Sequence, residues 1–177
     1  MRKLKERFPT FTQMAQAYAV AVIFLYAWSL MRFFWRMPSF LKYSTAGDIG
    51  VIFAYLMSFD FIESLIVVSA PLFISLALPA RWWREKFAAK SAILLALGLW
   101  YLNYIYEIIA PAAPLPQALK WTPLVLLGIF AAAFGLGEIK LIQRIVEDFT
   151  DRLTVFLYIS IPVSVICFLV VLFRNLF

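Results

Sequence analysis

Leu153–Phe173 reads LTVFLYISIPVSVICFLVVLF, twenty-one residues without a charged side chain. As a helix this stretch is ~30 Å long, the thickness of a bilayer's hydrocarbon core. Four further apolar runs precede it, at 14–31, 49–79, 88–110 and 121–137. The chain as a whole is 64% hydrophobic and 15% charged. A soluble domain is roughly 45–50% apolar and about 25% charged, so a water-soluble fold would leave apolar surface uncovered. Lipid removes that problem. The expected fold is therefore all-α: a polytopic bundle of five transmembrane helices forming one integral membrane domain over residues 1–177.

The run at 49–79 is the least regular of the five. As one helix it would be ~46 Å long, and two crossings would need about 40 residues, so it is read as a single tilted or partly interfacial helix. Pro71 is a candidate kink, and Arg81-Trp-Trp-Arg84 is a basic and aromatic stop. Between the first two runs, 38–47 reads as a loop. Pro111, Pro114 and Pro116 make a stiff connection after the third. Residues 138–152 are amphipathic: Ile142, Ile145, Val146 and Phe149 share one helical face, so this segment is expected to lie along the interface or to extend the fourth span as a helix. In the last run, Ser160, Pro162 and Ser164 suggest a local kink with hydroxyls serving freed backbone groups.

Basic residues set the expected orientation. With a cytoplasmic N-terminus, eleven lie inside: Arg2, Lys3, Lys5, Arg7, Arg81, Arg84, Lys86, Lys90, Lys140, Arg144 and Arg152. Five lie outside: Arg32, Arg36, Lys42, Lys120 and Arg174. The expectation is a multi-pass plasma-membrane protein with its N-terminus in and its C-terminus out. The N-terminal run reads as a retained anchor rather than a cleaved signal, because no small-residue cleavage site follows it. In span number and orientation the chain resembles the membrane module of lipoteichoic-acid-synthase-type sulfatases, with no motif or residue carried over.

Several chemistries are excluded by composition. There is no histidine and a single cysteine, Cys167. That rules out histidine-ligated haem, a Ser-His-Asp triad, a cysteine-built zinc or iron–sulfur site and an intrachain disulfide. No phosphate-cradling glycine loop or nucleophile elbow occurs. No catalytic residue, metal or cofactor is assigned. The net charge of +6 sits in clusters between apolar runs, which suits membrane topology and not a nucleic-acid face.

Ionisable groups inside spans are the functional candidates. Asp60 and Glu63 share a face, as do Asn103 and Glu107, one turn apart. Counting along the spans brings all four to the outer part of the bundle, as a polar cluster with Arg32, Arg36 and Lys120 as possible partners. The cluster reads either as an ion-pair network or as a pocket for a cation, a proton or a lipid headgroup. The aromatic stretch Trp100–Glu107 suits either a pigment or quinone groove or a headgroup-level belt. Gly128, Ala132 and Gly135 give the fourth span a small-residue packing face. Glu147, Asp148 and Asp151 read as a solvated face.

The expected function is a non-catalytic accessory or scaffold subunit of a larger membrane complex, with membrane lipids and other membrane subunits as partners. Two alternatives stand beside it. One is a small ion or proton pathway through Asp60, Glu63 and Glu107; the other is an enzyme acting on a lipid or polyprenyl substrate at the outer leaflet.

Overall fold

The computed structural model describes residues 8–109 and 119–176. Apart from short turns those residues are helical, with no strand among them. The elements are α1 (Phe11–Tyr43), α2 (Ala46–Ala77), the short α3 (Ala80–Trp83), α4 (Phe87–Tyr104), α5 (Thr122–Leu136), α6 (Lys140–Leu153) and α7 (Leu157–Leu176). A 3₁₀ turn at Arg84–Lys86 leads into α4, a π-helical turn at Ile105–Ile109 follows it, and a second 3₁₀ turn at Thr154–Phe156 joins α6 to α7.

Four helical segments are long and apolar enough to cross a membrane: Phe11–Tyr43, Ala46–Ala77, Arg84–Glu107 and Lys140–Leu176. The fourth apolar run forms α5, which has 15 residues. It is ~22 Å long, short of the ~30 Å hydrocarbon core, so among the described residues four of the five expected spans meet the length and composition of a crossing helix and α5 falls short of that length. The Pro111, Pro114 and Pro116 connection lies outside the described residues.

The first helix is much longer than the run that predicts it. The loop expected at 38–47 shrinks to Ser44 and Thr45, and Pro38 sits inside α1. Aromatic contacts bracket the proline: the Phe33 ring centre lies 5.6 Å from that of Phe53 of α2 and 5.7 Å from that of Phe40, two turns along α1. Both hairpin helices begin with a capping box, Thr10 with Gln13 and Thr45 with Asp48, which satisfies otherwise orphaned backbone N–H groups. The second helix is continuous through Pro71.

The centre of the molecule is α1, which is buried on two sides. Ala17, Val20 and Ala21 pack with Val68, Trp83, Phe87, Ala92, Leu95 and Leu99. Ala19, Val22 and Tyr26 pack with Ala54, Met57, Leu157 and Cys167. The alanines at 17, 19 and 21 allow close approach from α4 on one flank and α2 on the other. The last helix, α7, lies along α2, while α5 packs on α4. The amphipathic α6 packs against both α1 and α4. Its Thr150 is buried and its Ile142 and Val146 half-buried, whereas Ile145 and Phe149 are exposed. One edge of its apolar face therefore meets the bundle and the other faces outward.

Candidate functional site

Polar groups gather at two places along the bundle. The first lies where the π turn meets α1. A π turn is wound wider than an α-helix and occurs mostly as isolated single turns, which are frequent at functional sites. Here it carries Tyr106 and Glu107 to α1. Glu107 forms an ion pair with Arg32. The Arg32 guanidinium also lies over the Trp28 ring at 4.9 Å and the Tyr106 ring at 4.2 Å. These groups, with Met31, Trp35 and Arg36, line a cleft of about 360 Å³.

One turn along α1, the Ser29 hydroxyl donates to Asp60 Oδ1 at 2.7 Å. Asp60 is 4% exposed, and its Oδ2 is buried with no hydrogen-bond partner in the described structure. It stands 14 residues from the Ala46 end of α2 and 17 from the Ala77 end, near the middle of its helix rather than toward either end. Two hydroxyl pairs flank it. Tyr26 and Ser164 are 2.6 Å apart, and Ser64 donates to the Tyr18 hydroxyl at 3.2 Å. The Ser164 hydroxyl also donates to the Ser160 carbonyl at 2.7 Å, in the turn that contains Pro162. A polar seam thus runs between α1, α2 and α7, through otherwise apolar surfaces.

The expected cluster is therefore split. Ser29 and Arg32 are one turn apart, so Asp60 and Glu107 do come to nearly one level. They engage different partners: Asp60 has a serine, and Glu107 has the arginine. Glu63 is exposed on α2, Asn103 is half-buried, and neither has a hydrogen bond or ion pair to another described residue. Arg36 and Lys120 are exposed. Glu147, Asp148 and Asp151 line an open cleft with Gln16 and Arg144. There Gln143 bonds Glu147 at 2.9 Å and Arg152 pairs with Asp148 at 3.5 Å. No three metal-binding side chains converge among the described residues.

The second polar gathering, at the opposite end of α4, is one that sequence reasoning missed. Lys90 is 1% exposed. Its ammonium donates to the Trp82 carbonyl and to Glu138 Oε1, the latter at 2.6 Å, and lies over the Phe134 ring at 4.1 Å. Lys86 reaches Glu138 Oε2, also at 2.6 Å. Hydrogen bonds from Lys86 and Lys90 hold the Glu138 carboxyl down at about 2. Gly137 makes room for this knot: a Cβ there would stand 2.5 Å from Lys90 Cγ and 2.9 Å from the Ala133 carbonyl oxygen. Beside it Trp83, fully buried, stacks on Phe130 with ring centres 5.6 Å apart. The sequence offered one signal, a lysine four residues into a helix that is otherwise apolar.

The small-residue face of α5 also divides. Ala133 is buried and Ala132 half-buried, while Gly128, Ala131 and Gly135 are exposed. A Cβ added at Gly128 or Gly135 would meet nothing within 4 Å.

No known protein family, curated protein or solved structure matches this chain.

Proposed function

We propose that this protein is a non-catalytic accessory subunit of a larger membrane complex, receiving a transmembrane helix of another subunit on the outer face of α5. The observation that carries this is the unused small-residue stripe. Gly128, Ala131 and Gly135 follow one another at helical spacing and are all exposed. The chain's own packing uses the other side of α5, through Phe130, Ala133 and Phe134. Small residues at such spacing let two backbones approach closely, which drives helix association in lipid. A helix of ~22 Å is also mismatched to the hydrocarbon core, and association relieves mismatch. In this reading α5 crosses as a fifth, short span and α6 lies along the cytoplasmic interface. The N-terminus is inside, the C-terminus outside, and the plasma membrane is the site of action.

The test is extraction of the native complex in mild detergent from cells carrying either the wild type or Gly128→Leu/Gly135→Leu. A Cβ at either position meets nothing within 4 Å, and an unfolding midpoint matching the wild type establishes that the variant is folded. Loss of specific companion subunits from the variant supports the proposal. An unchanged set of companions, or a solitary monomer in both preparations, refutes it.

A second reading, a proton pathway, is favoured by one observation: the unpartnered Oδ2 of Asp60. A carboxylate buried with a single serine donor is costly in an apolar interior, and protonation removes that cost. Reconstituted vesicles with an internal pH dye test it. Proton leak above that of empty vesicles, abolished by Asp60→Asn, supports this reading. No leak, or leak that survives Asp60→Asn, removes it. An enzyme acting on a lipid or polyprenyl substrate needs Glu63 and Glu107 in one pocket with a basic group, and Glu63 is not among the residues that line the Arg32 cleft.

A further inference from the structure

We propose that the cleft between α1 and the π turn is a binding site for the phosphate of an anionic membrane lipid, with Arg36 as its main contact. The cleft holds two guanidinium groups and one carboxylate. Arg32 is committed, bonded to Glu107 and enclosed by the Trp28 and Tyr106 rings. Arg36, one turn further along α1, is exposed and has no carboxylate partner among the described residues. The cleft therefore carries a net positive charge and one available planar fork of donors, a geometry that matches phosphate oxygens.

The surroundings identify the source of that phosphate. Trp35, Trp100, Tyr104, Tyr106 and Trp121 are all exposed at this end of the bundle. Tryptophan and tyrosine exposed together on an apolar helical protein mark the level of lipid headgroups. The phosphate abundant at that level belongs to lipid. Met31 and Trp35 are exposed beside the two arginines and give an acyl chain an apolar wall. A zwitterionic headgroup would bring its own cation toward Arg32 and Arg36, so the site favours an anionic one. Glu107 limits the affinity, because it occupies the second guanidinium.

This inference rests on the membrane location and is independent of any partner subunit. Its test is native mass spectrometry of the purified full chain titrated with phosphatidylglycerol or phosphatidylcholine in micelles. The wild type should retain phosphatidylglycerol in preference to phosphatidylcholine. Arg36→Gln should weaken phosphatidylglycerol binding about tenfold, the worth of one charge-assisted hydrogen-bonded contact. Glu107→Gln, which frees Arg32, should strengthen it. Lys42→Gln, an exposed charge elsewhere on α1, should leave it unchanged. An unchanged affinity in Arg36→Gln, an equal loss in Lys42→Gln, or equal retention of the two lipids overturns the proposal. So does displacement of the lipid by millimolar inorganic phosphate, which would make the site one for the free ion. Unfolding midpoints matching the wild type establish that the variants are folded.

Discussion

Removing Glu138 should destabilise the fold by leaving Lys90 charged and uncompensated inside it. The Lys90 ammonium is 1% exposed and has three neighbours: the Glu138 carboxylate, the Trp82 carbonyl and the Phe134 ring. Breaking a buried pair by removing one partner costs about 3–5 kcal/mol. Glu138 is 49% exposed, so solvent already screens its side, and the Trp82 carbonyl remains; we expect about 1–2 kcal/mol for Glu138→Ala. For a chain of this size that lowers the unfolding midpoint by about 2–8 °C. Cys167, the single cysteine and a buried one, provides the assay: a maleimide dye labels it as the protein opens on heating in detergent. The decisive variant is Lys90→Met/Glu138→Ala. Methionine occupies the same channel between Gly137 and Phe134 without a charge, so the double variant should recover most of the loss. A midpoint unchanged in Glu138→Ala, or a double variant as poor as the two single losses added together, would refute this account.

Three further outcomes follow from the same geometry. The Glu138 carboxyl is held at about 2 against an ordinary 4.5, so its stabilising effect is present above pH 4.5 and is lost as pH falls toward 2. The difference in thermal midpoint between wild type and Glu138→Gln, followed by tryptophan fluorescence, should be largest near neutrality and vanish in acid. Gly137→Ala should cost about 1–3 kcal/mol through overpacking against Lys90 and the Ala133 carbonyl, whereas Gly128→Ala should leave the midpoint unchanged or raise it; dye labelling of Cys167 compares the two. Tyr26→Phe removes the buried hydrogen bond to Ser164 and should lower stability by about 1 kcal/mol in the same assay.

Much of the helical scaffold was legible because membrane helices announce themselves by length and hydropathy. The apolar runs at 49–79, 121–137 and 153–173 return as α2, α5 and α7 within a few residues. The boundaries that failed did so where packing overrode a local signal. Pro38 reads as a loop in isolation, yet α1 runs on past it, bracketed by the aromatic contacts between Phe33, Phe40 and Phe53. Which acid of the expected cluster meets an arginine was not legible for a related reason: Glu107 takes Arg32, and Asp60 takes Ser29. Depth along a span can be counted from the sequence, but the direction a side chain takes around the helix axis depends on which neighbours surround it. Asp60 faces Ser29, and Glu63, three residues on, faces outward.

The sequence by itself determined the solvent and the secondary structure. Uninterrupted apolar stretches exclude water, and in lipid a chain must satisfy its backbone internally, so it folds as helices. It also determined what chemistry is absent, since no arrangement supplies a missing histidine or a second cysteine. Only the tertiary structure decided which polar groups meet. It joined Lys90 to Glu138 across 48 residues, Arg32 to Glu107 across 75 and Tyr26 to Ser164 across 138. It also turned Gly128 and Gly135 outward while pressing Gly137 against Lys90. Those pairings depend on helix order, tilt and rotation, which are set by side-chain packing between distant segments and leave no periodic trace along the chain.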